Sequence, residues 1–381
     1  MNVSMVLLKI FCHPGARTGA GRLHLPGHLV SLRPTEEPWR SVERPCSPDQ
    51  SHGKNHLYYS NSNSTLGPGP VLQYHSETQP SLGNVAERAG ETLKIMHRWG
   101  YSPTIDALAK NLLGGSVRPA DLARALGAQG QILVQDGFVS LLGYEGLIQR
   151  SSERVESHRV LNGDAWSVAR MFTADLARLC PFLKCVAVCG SLASGGYAKS
   201  DDLDFDLFVS SGTKYVTYLL ATVVGLKYSW RYRKRRLSRI HQVWGLPKLI
   251  CINVVWTEDE VKPFVRRDAD AAFELLRCHP VLGAAYFGHV CQENEWVGSY
   301  FPQVFIDHHW ETPQPSPSFL NILLRRLGRH RPTLRMLECL SRGIVWLLYH
   351  FVQWTRRHDP EALHRMDFLR KVKWPYEVLQ D

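Results

Sequence analysis

The chain has 381 residues, 44% of them hydrophobic and 21% charged, the balance of an ordinary globular protein with room for two or three domains, and excluding a chain without a core. Forty-five Lys and Arg against 35 Asp and Glu leave a formal net charge of +10, which suits a partner carrying phosphates, nucleotide or nucleic acid, but specifies no chemistry. Nine cysteines with no Cys-x-x-Cys pair argue against a disulfide framework or a structural zinc site, and for a reducing, cytoplasmic compartment.

Residues 1–82 are rich in Pro, Ser, Asn, Gly and His and show no sustained period, so they predict a disordered tail. Within them residues 3–11 are apolar but short, interrupted by Lys9, and do not pass as a signal peptide. From residue 83 the texture changes. Val85, Ala89, Leu93, Met96 and Trp99 recur at spacings of three and four, which predicts an amphipathic helix. Ser102-Pro103 opens a second helix through Ile105, Leu108 and Leu112, and Pro119 starts a third through Leu122 and Leu126. Residues 132–134 and 138–141 then read as strands joined across Asp136-Gly137, a hairpin signal. Three short helices and a hairpin predict a winged helix-turn-helix domain over 83–155.

A longer helix is expected over 165–179, ended by Pro181. Residues 185–189, 203–209 and 249–256 read as strands and 215–225 as a helix, an α/β (α+β) arrangement with a small mixed sheet over 156–265. In the first strand, Cys185 and Cys189 read as small core hydrophobes. Beyond Asp268 the chain reads as helical through Phe273, Leu276, Val281 and Tyr286, giving a helical C-terminal region over 266–381. Inside it residues 343–354 are mostly apolar and flanked by Arg342, Arg356 and Arg357. A spanning helix needs about 20 such residues, so the stretch predicts a buried amphipathic helix and no membrane partner.

Chemistry concentrates between residues 186 and 209. A strand runs into Gly190-Ser191; ten residues later comes Asp202-Leu-Asp204-Phe-Asp206 inside a second strand. Glycine at 190 lets the backbone approach a triphosphate and leaves its amide free for phosphate oxygens, and the Ser191 hydroxyl adds a donor. Residues two apart in a strand share a face, so Asp202 and Asp204 present their carboxylates side by side. Such a pair repels unless a cation lies between, a need that Mg²⁺ meets.

Hydrophobic-Gly-Ser, ten residues, then Asp-x-Asp-x-hydrophobic resembles the signature of polymerase-β-like nucleotidyltransferases. The chain is also similar, over roughly 83–305, to uncharacterised prokaryotic nucleotidyltransferase-domain proteins. The resemblance implies a small mixed sheet flanked by helices, with Gly190 and Ser191 on a nucleoside triphosphate and Asp202 and Asp204 as catalytic ligands of Mg²⁺, with two ions plausible. Members of the superfamily commonly carry a third carboxylate on the strand here over 249–256, where Asn253 is the only polar interior residue. Either that acid is missing or Asp206, in phase with the pair, substitutes.

Arg231-Tyr-Arg-Lys-Arg-Arg236 and Arg239, with Trp230, Tyr232 and Trp244 nearby, form a basic, aromatic cluster that suits nucleic acid or polyphosphate and equally a solvated loop. Two functions follow. One is a Mg²⁺-dependent transfer of a nucleoside monophosphate to a hydroxyl acceptor; the other is a regulator that senses nucleotide and binds DNA.

Overall fold

Asn84 sets the first element. Its side chain accepts from the Ala86 and Glu87 amides while Glu87 reaches back to the Asn84 amide, a capping box that starts α1, Val85–Arg98. The computed structural model describes residues 84–305 and 315–355 without 128, 129, 236, 238–241, 244 and 245, together with Arg357, His358, Pro360 and Leu363. The tail expected over 1–82, with its apolar stretch at 3–11, lies outside the described residues, as do Arg236, Arg239 and Trp244.

Thr104 caps α2 (Ile105–Lys110) by accepting the Ala107 amide at 3.2 Å, and Pro119 opens α3 (Pro119–Leu126). Strands β1 (Ile132–Gln135) and β2 (Phe138–Leu141) pair antiparallel around Asp136 and Gly137, whose φ of 52° and 78° are the left-handed values a two-residue hairpin turn needs. The predicted three helices and hairpin are therefore present. Their Leu93, Met96, Leu108, Leu122 and Val139 are buried.

Helix α4 spans Gly146–Leu179 and starts well before the expected residue 165. Between Ser151 and Ala165 it buries no residue, so no apolar period marked that half; local pairs such as Arg159–Glu156 at 2.7 Å lie along it. Strand β3 (Leu183–Cys189) passes directly into a single turn, α5 (Gly190–Ala193), followed by β4 (Leu203–Val209) and α6 (Lys214–Arg231). A two-residue ladder, β5 (Gln242–Val243) with β6 (Leu246–Pro247), precedes β7 (Ile250–Thr257). After it come α7 (Ala269–Arg277), β8 (His279–Leu282), α8 (Ala284–Gln292), α9 (Trp296–Tyr300), α10 (Phe319–Gly328) and α11 (Arg331–Thr355).

The main sheet has the order β7-β4-β3-β8, with β4 parallel to β7 and β3 antiparallel to both its neighbours. Its mixed direction matches the expectation; β8 corrects it. Residues 279–282 were read as part of a helix because Val281 continued an apolar spacing. They form an edge strand, the position in a sheet where a proline such as Pro280 is tolerated.

Strand alternation divides the core in two. Val186, Val188, Leu203, Phe205, Leu207 and Val209 pack toward α4 and α6, while Cys185, Ala187, Cys189 and Phe208 pack toward α1–α3, α7 and α8. The aspartates of β4 share the second face. Glu338 of α11 ties the C-terminal helices to the sheet layer. It accepts the Tyr215 amide at 2.7 Å and the Val216 amide at 3.0 Å, closing the N-terminus of α6, which has no cap of its own.

Helix α11 departs from the buried helix expected over 343–354. Val345 and Ser341 are buried, but Met336, Leu340, Ile344, Leu347, Phe351 and Trp354 form an exposed stripe, Leu347 being 62% exposed. Its apolar residues occupy two faces, and only one of them meets the sheet layer. Among the described residues no helix is long and apolar enough to cross a membrane.

His97 of α1 gives the fold a pH dependence. Buried beneath β2, its Nε2 accepts the Leu141 amide at 3.2 Å and lies 3.0 Å from the Ser140 hydroxyl, with Tyr144 edge-on at 4.7 Å. Burial pushes its pKa down from 6.5 to about 4. The folded ring stays neutral where the unfolded chain takes up a proton, so this stabilisation is complete above pH 6.5 and is lost as pH falls toward 4. Between pH 6.5 and 4.5 the expected loss is about 3 kcal/mol, two units at about 1.4 kcal/mol each. Urea midpoints at pH 7.5 and 4.5 should fall further in the parent than in His97→Gln; equal falls would count against the assignment.

Candidate metal and nucleotide site

The site begins where β3 ends. Gly190 has a φ of 64°, and a Cβ built on it would overlap the Asp204 carboxylate, lying 2.9 Å from its Cγ. Asp204 faces Cys189 in the β3–β4 ladder, so the glycine lets its carboxylate lie against the first turn of α5. The sequence reading gave Gly190 closeness to a phosphate; the structure shows closeness between the Gly190 turn and the Asp204 carboxylate. Ser191 sits half-buried in the same turn, its carbonyl accepting the Gly196 amide at 2.9 Å.

Two arginines hold the ten-residue connection: Arg154, which sequence reasoning missed, and Arg235, which it placed in the basic cluster. Arg154 of α4 forms an ion pair with Asp201 at 2.5 Å, and Asp201 also accepts the Ala198 amide at 3.1 Å. Arg235 donates to the Lys199 carbonyl at 3.2 Å, the Asp201 carbonyl at 3.3 Å and the Tyr197 hydroxyl, and its guanidinium stacks over the Tyr197 ring. Arg235 belongs to the basic cluster read as an electrostatic seat, yet its donors go to the chain's own loop. Arg231 and Arg233 of that cluster are exposed, and Arg233 lies over exposed Trp230 at 5.1 Å.

Asp202 and Asp204 come together as expected, and a third side chain joins them. One potential ligand atom from each of Asp202, Asp204 and Cys251 lies within 4.8 Å of the other two. Asp202 is 5% exposed and Cys251 is 7% exposed. Cys251 is the parallel-register partner of Asp204 across β4 and β7, so it occupies the place where a third carboxylate was sought. Burial pushes its thiol up to about 12, against the pull of Lys248, whose Nζ donates to Sγ at 3.1 Å. Burial opposes the Lys248 charge in turn, but Cys251, Tyr218 and Asp202 outweigh it and leave its pKa raised.

Asn253 does not stand at the third position. The β4–β7 register passes from Phe205–Ile252 to Asp206–Val254, so Asn253 is the extra residue of a bulge. Its Nδ2 lies 3.4 Å from the Cys189 sulfur. Asp206 lies further along β4, receiving the Cys189 thiol at 3.2 Å and the Cys278 thiol at 3.8 Å. Burial, reinforced by Glu274 and opposed by those two thiols, pushes its carboxyl up to about 7. Among the described residues it is not one of the three that converge.

Arg277, at the end of α7, completes the surroundings. It donates to the Gly190 carbonyl at 3.3 Å, lies over the Tyr101 and Phe273 rings at 5.4 and 5.2 Å, and stands 3.6 Å from Glu274. Its 87-residue separation from Gly190 left no signal in the sequence.

The two carboxylates suit a hard, oxygen-loving ion such as Mg²⁺; the thiol beside them does not. No family model matches the chain, and no curated protein or solved structure is significantly similar to it.

Proposed function

We propose that the protein is a nucleotidyltransferase of polymerase-β type that moves a nucleoside monophosphate from a triphosphate to a hydroxyl acceptor. One observation carries this reading: the Gly190 turn and the Asp204 carboxylate are in contact, so amides fit for phosphates and acids fit for a cation meet at one point. Gly190 and Ser191 seat the triphosphate at the start of α5, and Asp202 and Asp204 hold the cation. A divalent cation held by Asp202 and Asp204 would supply neutralisation of phosphate charge and stabilisation of the pyrophosphate leaving group. Arg154 and Arg235 fix the loop that spaces the two halves. The acceptor oxygen bonds to the α-phosphorus as the bond to the β-phosphate oxygen breaks, and the hydroxyl proton passes to water.

A second reading, nucleotide binding without transfer, is favoured by Cys251 and Lys248 standing where a third acid would be. Three helices and a hairpin of winged-helix type would give such a regulator a DNA contact. Against that contact, Arg118 and Arg124 on α3 both pair with Asp121, at 2.6 and 2.7 Å.

Incubating the protein with each labelled nucleoside triphosphate and a divalent cation separates the readings. Pyrophosphate and labelled product that vanish in Asp204→Asn support transfer. Nucleotide binding without pyrophosphate supports the regulator, and no binding at all would overturn both.

A further inference from the structure

We infer that Cys251 is the third ligand of the Asp202–Asp204 cation site, and that the site takes a thiophilic divalent cation, Zn²⁺ or Co²⁺, in preference to Mg²⁺. The inference rests on the reading that the two aspartates hold a cation, and it changes which cation that is.

The donor set carries the argument. Cys251 is placed by backbone pairing rather than by side-chain reach. Its register with Asp204 is set by the β4–β7 ladder, and the ladder bulges only after Phe205. Three donor atoms within 4.8 Å of one another need only small rotations to close on an ion at about 2.0–2.3 Å, the range of zinc–oxygen and zinc–sulfur bonds. Three protein ligands with one open position is the pattern of a catalytic zinc site, in which water or substrate takes the fourth place. Mg²⁺ has no use for sulfur and demands six oxygens in a near-ideal octahedron. Bound here, it would have a buried thiol on one side in place of a water.

Lys248 fits the same assignment. Its ammonium, 3.1 Å from Sγ, is a fixed positive charge on the sulfur in the absence of an ion. When a cation binds, the Cys251 thiol loses its proton to water and the metal–sulfur bond takes its place. Lys248 then donates to the thiolate and offsets its charge, the part an outer hydrogen-bond partner commonly plays at a metal centre. Asn253 lies at the edge of the same group, with Cys251 Sγ 3.5 Å from its Oδ1.

The test is a titration of the metal-free 381-residue chain with Co²⁺, followed by absorption. Sulfur ligation produces a thiolate-to-cobalt charge-transfer band in the near ultraviolet, a readout independent of activity. The parent should show the band, and a hundredfold excess of Mg²⁺ should fail to remove it. Cys251→Ser should lose the band and bind Co²⁺ at least about tenfold more weakly, the scale of one lost charge-assisted ligand. Cys251→Asp should bind without the band and shift its preference toward Mg²⁺. A band that survives Cys251→Ser comes from another thiol, such as exposed Cys339, and overturns the inference. So does Co²⁺ binding without a band, or ready displacement by Mg²⁺. In those outcomes the cation site itself stands, provided that Asp204→Asn abolishes binding. If Asp204→Asn leaves Co²⁺ affinity unchanged, the underlying reading of the aspartates fails as well.

Discussion

Replacing Gly190 by alanine should cost the protein about 2–5 kcal/mol and remove cation-dependent nucleotide binding. Two effects add. At a φ of 64° a side chain pays a left-handed backbone penalty, about 1–2 kcal/mol for most residues. The new methyl would also overlap the Asp204 carboxylate, and forcing an extra carbon into a packed place costs a further 1–3 kcal/mol, roughly. Asp204 cannot easily retreat, because β4 is paired on both sides, to β3 and to β7. The carboxylate must therefore turn, and the cation loses a ligand. Gly212 supplies the control. Its φ is 71°, but nothing lies within 4 Å of a Cβ added there. Gly212→Ala should show only the backbone cost and bind as the parent does. Denaturant midpoints and calorimetric titration with Mg²⁺ or Co²⁺ and a nucleoside triphosphate measure both parts. If Gly190→Ala binds like the parent, the close approach has no part in the site.

The contact between Gly190 and Asp204 was half legible in the sequence. Leu203–Val209 alternates aspartate with apolar residues, and the strand has those bounds because one face meets a dry core and the other holds the acids. The glycine was legible as a need for close approach. What it approaches was not, since that depends on β3 and β4 pairing across the connection. The residue that faces Asp204 on β7 was not legible for a related reason. Polarity drew attention to Asn253, but a bulge after Phe205 removes that residue from the register, while the regular ladder before it pairs Cys251 with Asp204. A bulge shifts facing by one residue, and no local pattern in 249–256 announces it. The first half of α4 left no signal because it buries almost nothing, yet it carries Arg154 to Asp201. Arg154, Arg235 and Arg277 act over separations of 34 to 87 residues, where a single sequence holds no record of contact.

Asp202→Asn and Asp204→Asn should each weaken cation-dependent nucleotide binding by about 1–3 kcal/mol, roughly five- to over a hundredfold, whereas Asp206→Asn should leave it nearly unchanged. Asp202 just before β4 and Asp204 and Asp206 within it recur at every second residue, so the sequence treats them alike; their surroundings do not. Asp202 and Asp204 bring oxygens to one point with Cys251, and removing either charge removes attraction for the ion. Asp206 instead receives two thiols, from Cys189 and Cys278. Burial pushes its carboxyl up to about 7, so its surroundings favour the neutral form more than those of an ordinary surface aspartate. Asparagine keeps an oxygen to accept a thiol proton and carries no charge, so it resembles the protonated acid that the fold already accommodates. Turnover, if Asp206 served as the third acid, would disappear in Asp206→Asn while nucleotide binding survived. The position of Asp206 behind Cys189 leads us to expect turnover retained. Calorimetric binding and pyrophosphate release, measured on all three variants, separate the cases. Loss of turnover in Asp206→Asn, with binding intact in Asp202→Asn, would move the working pair to Asp204 and Asp206.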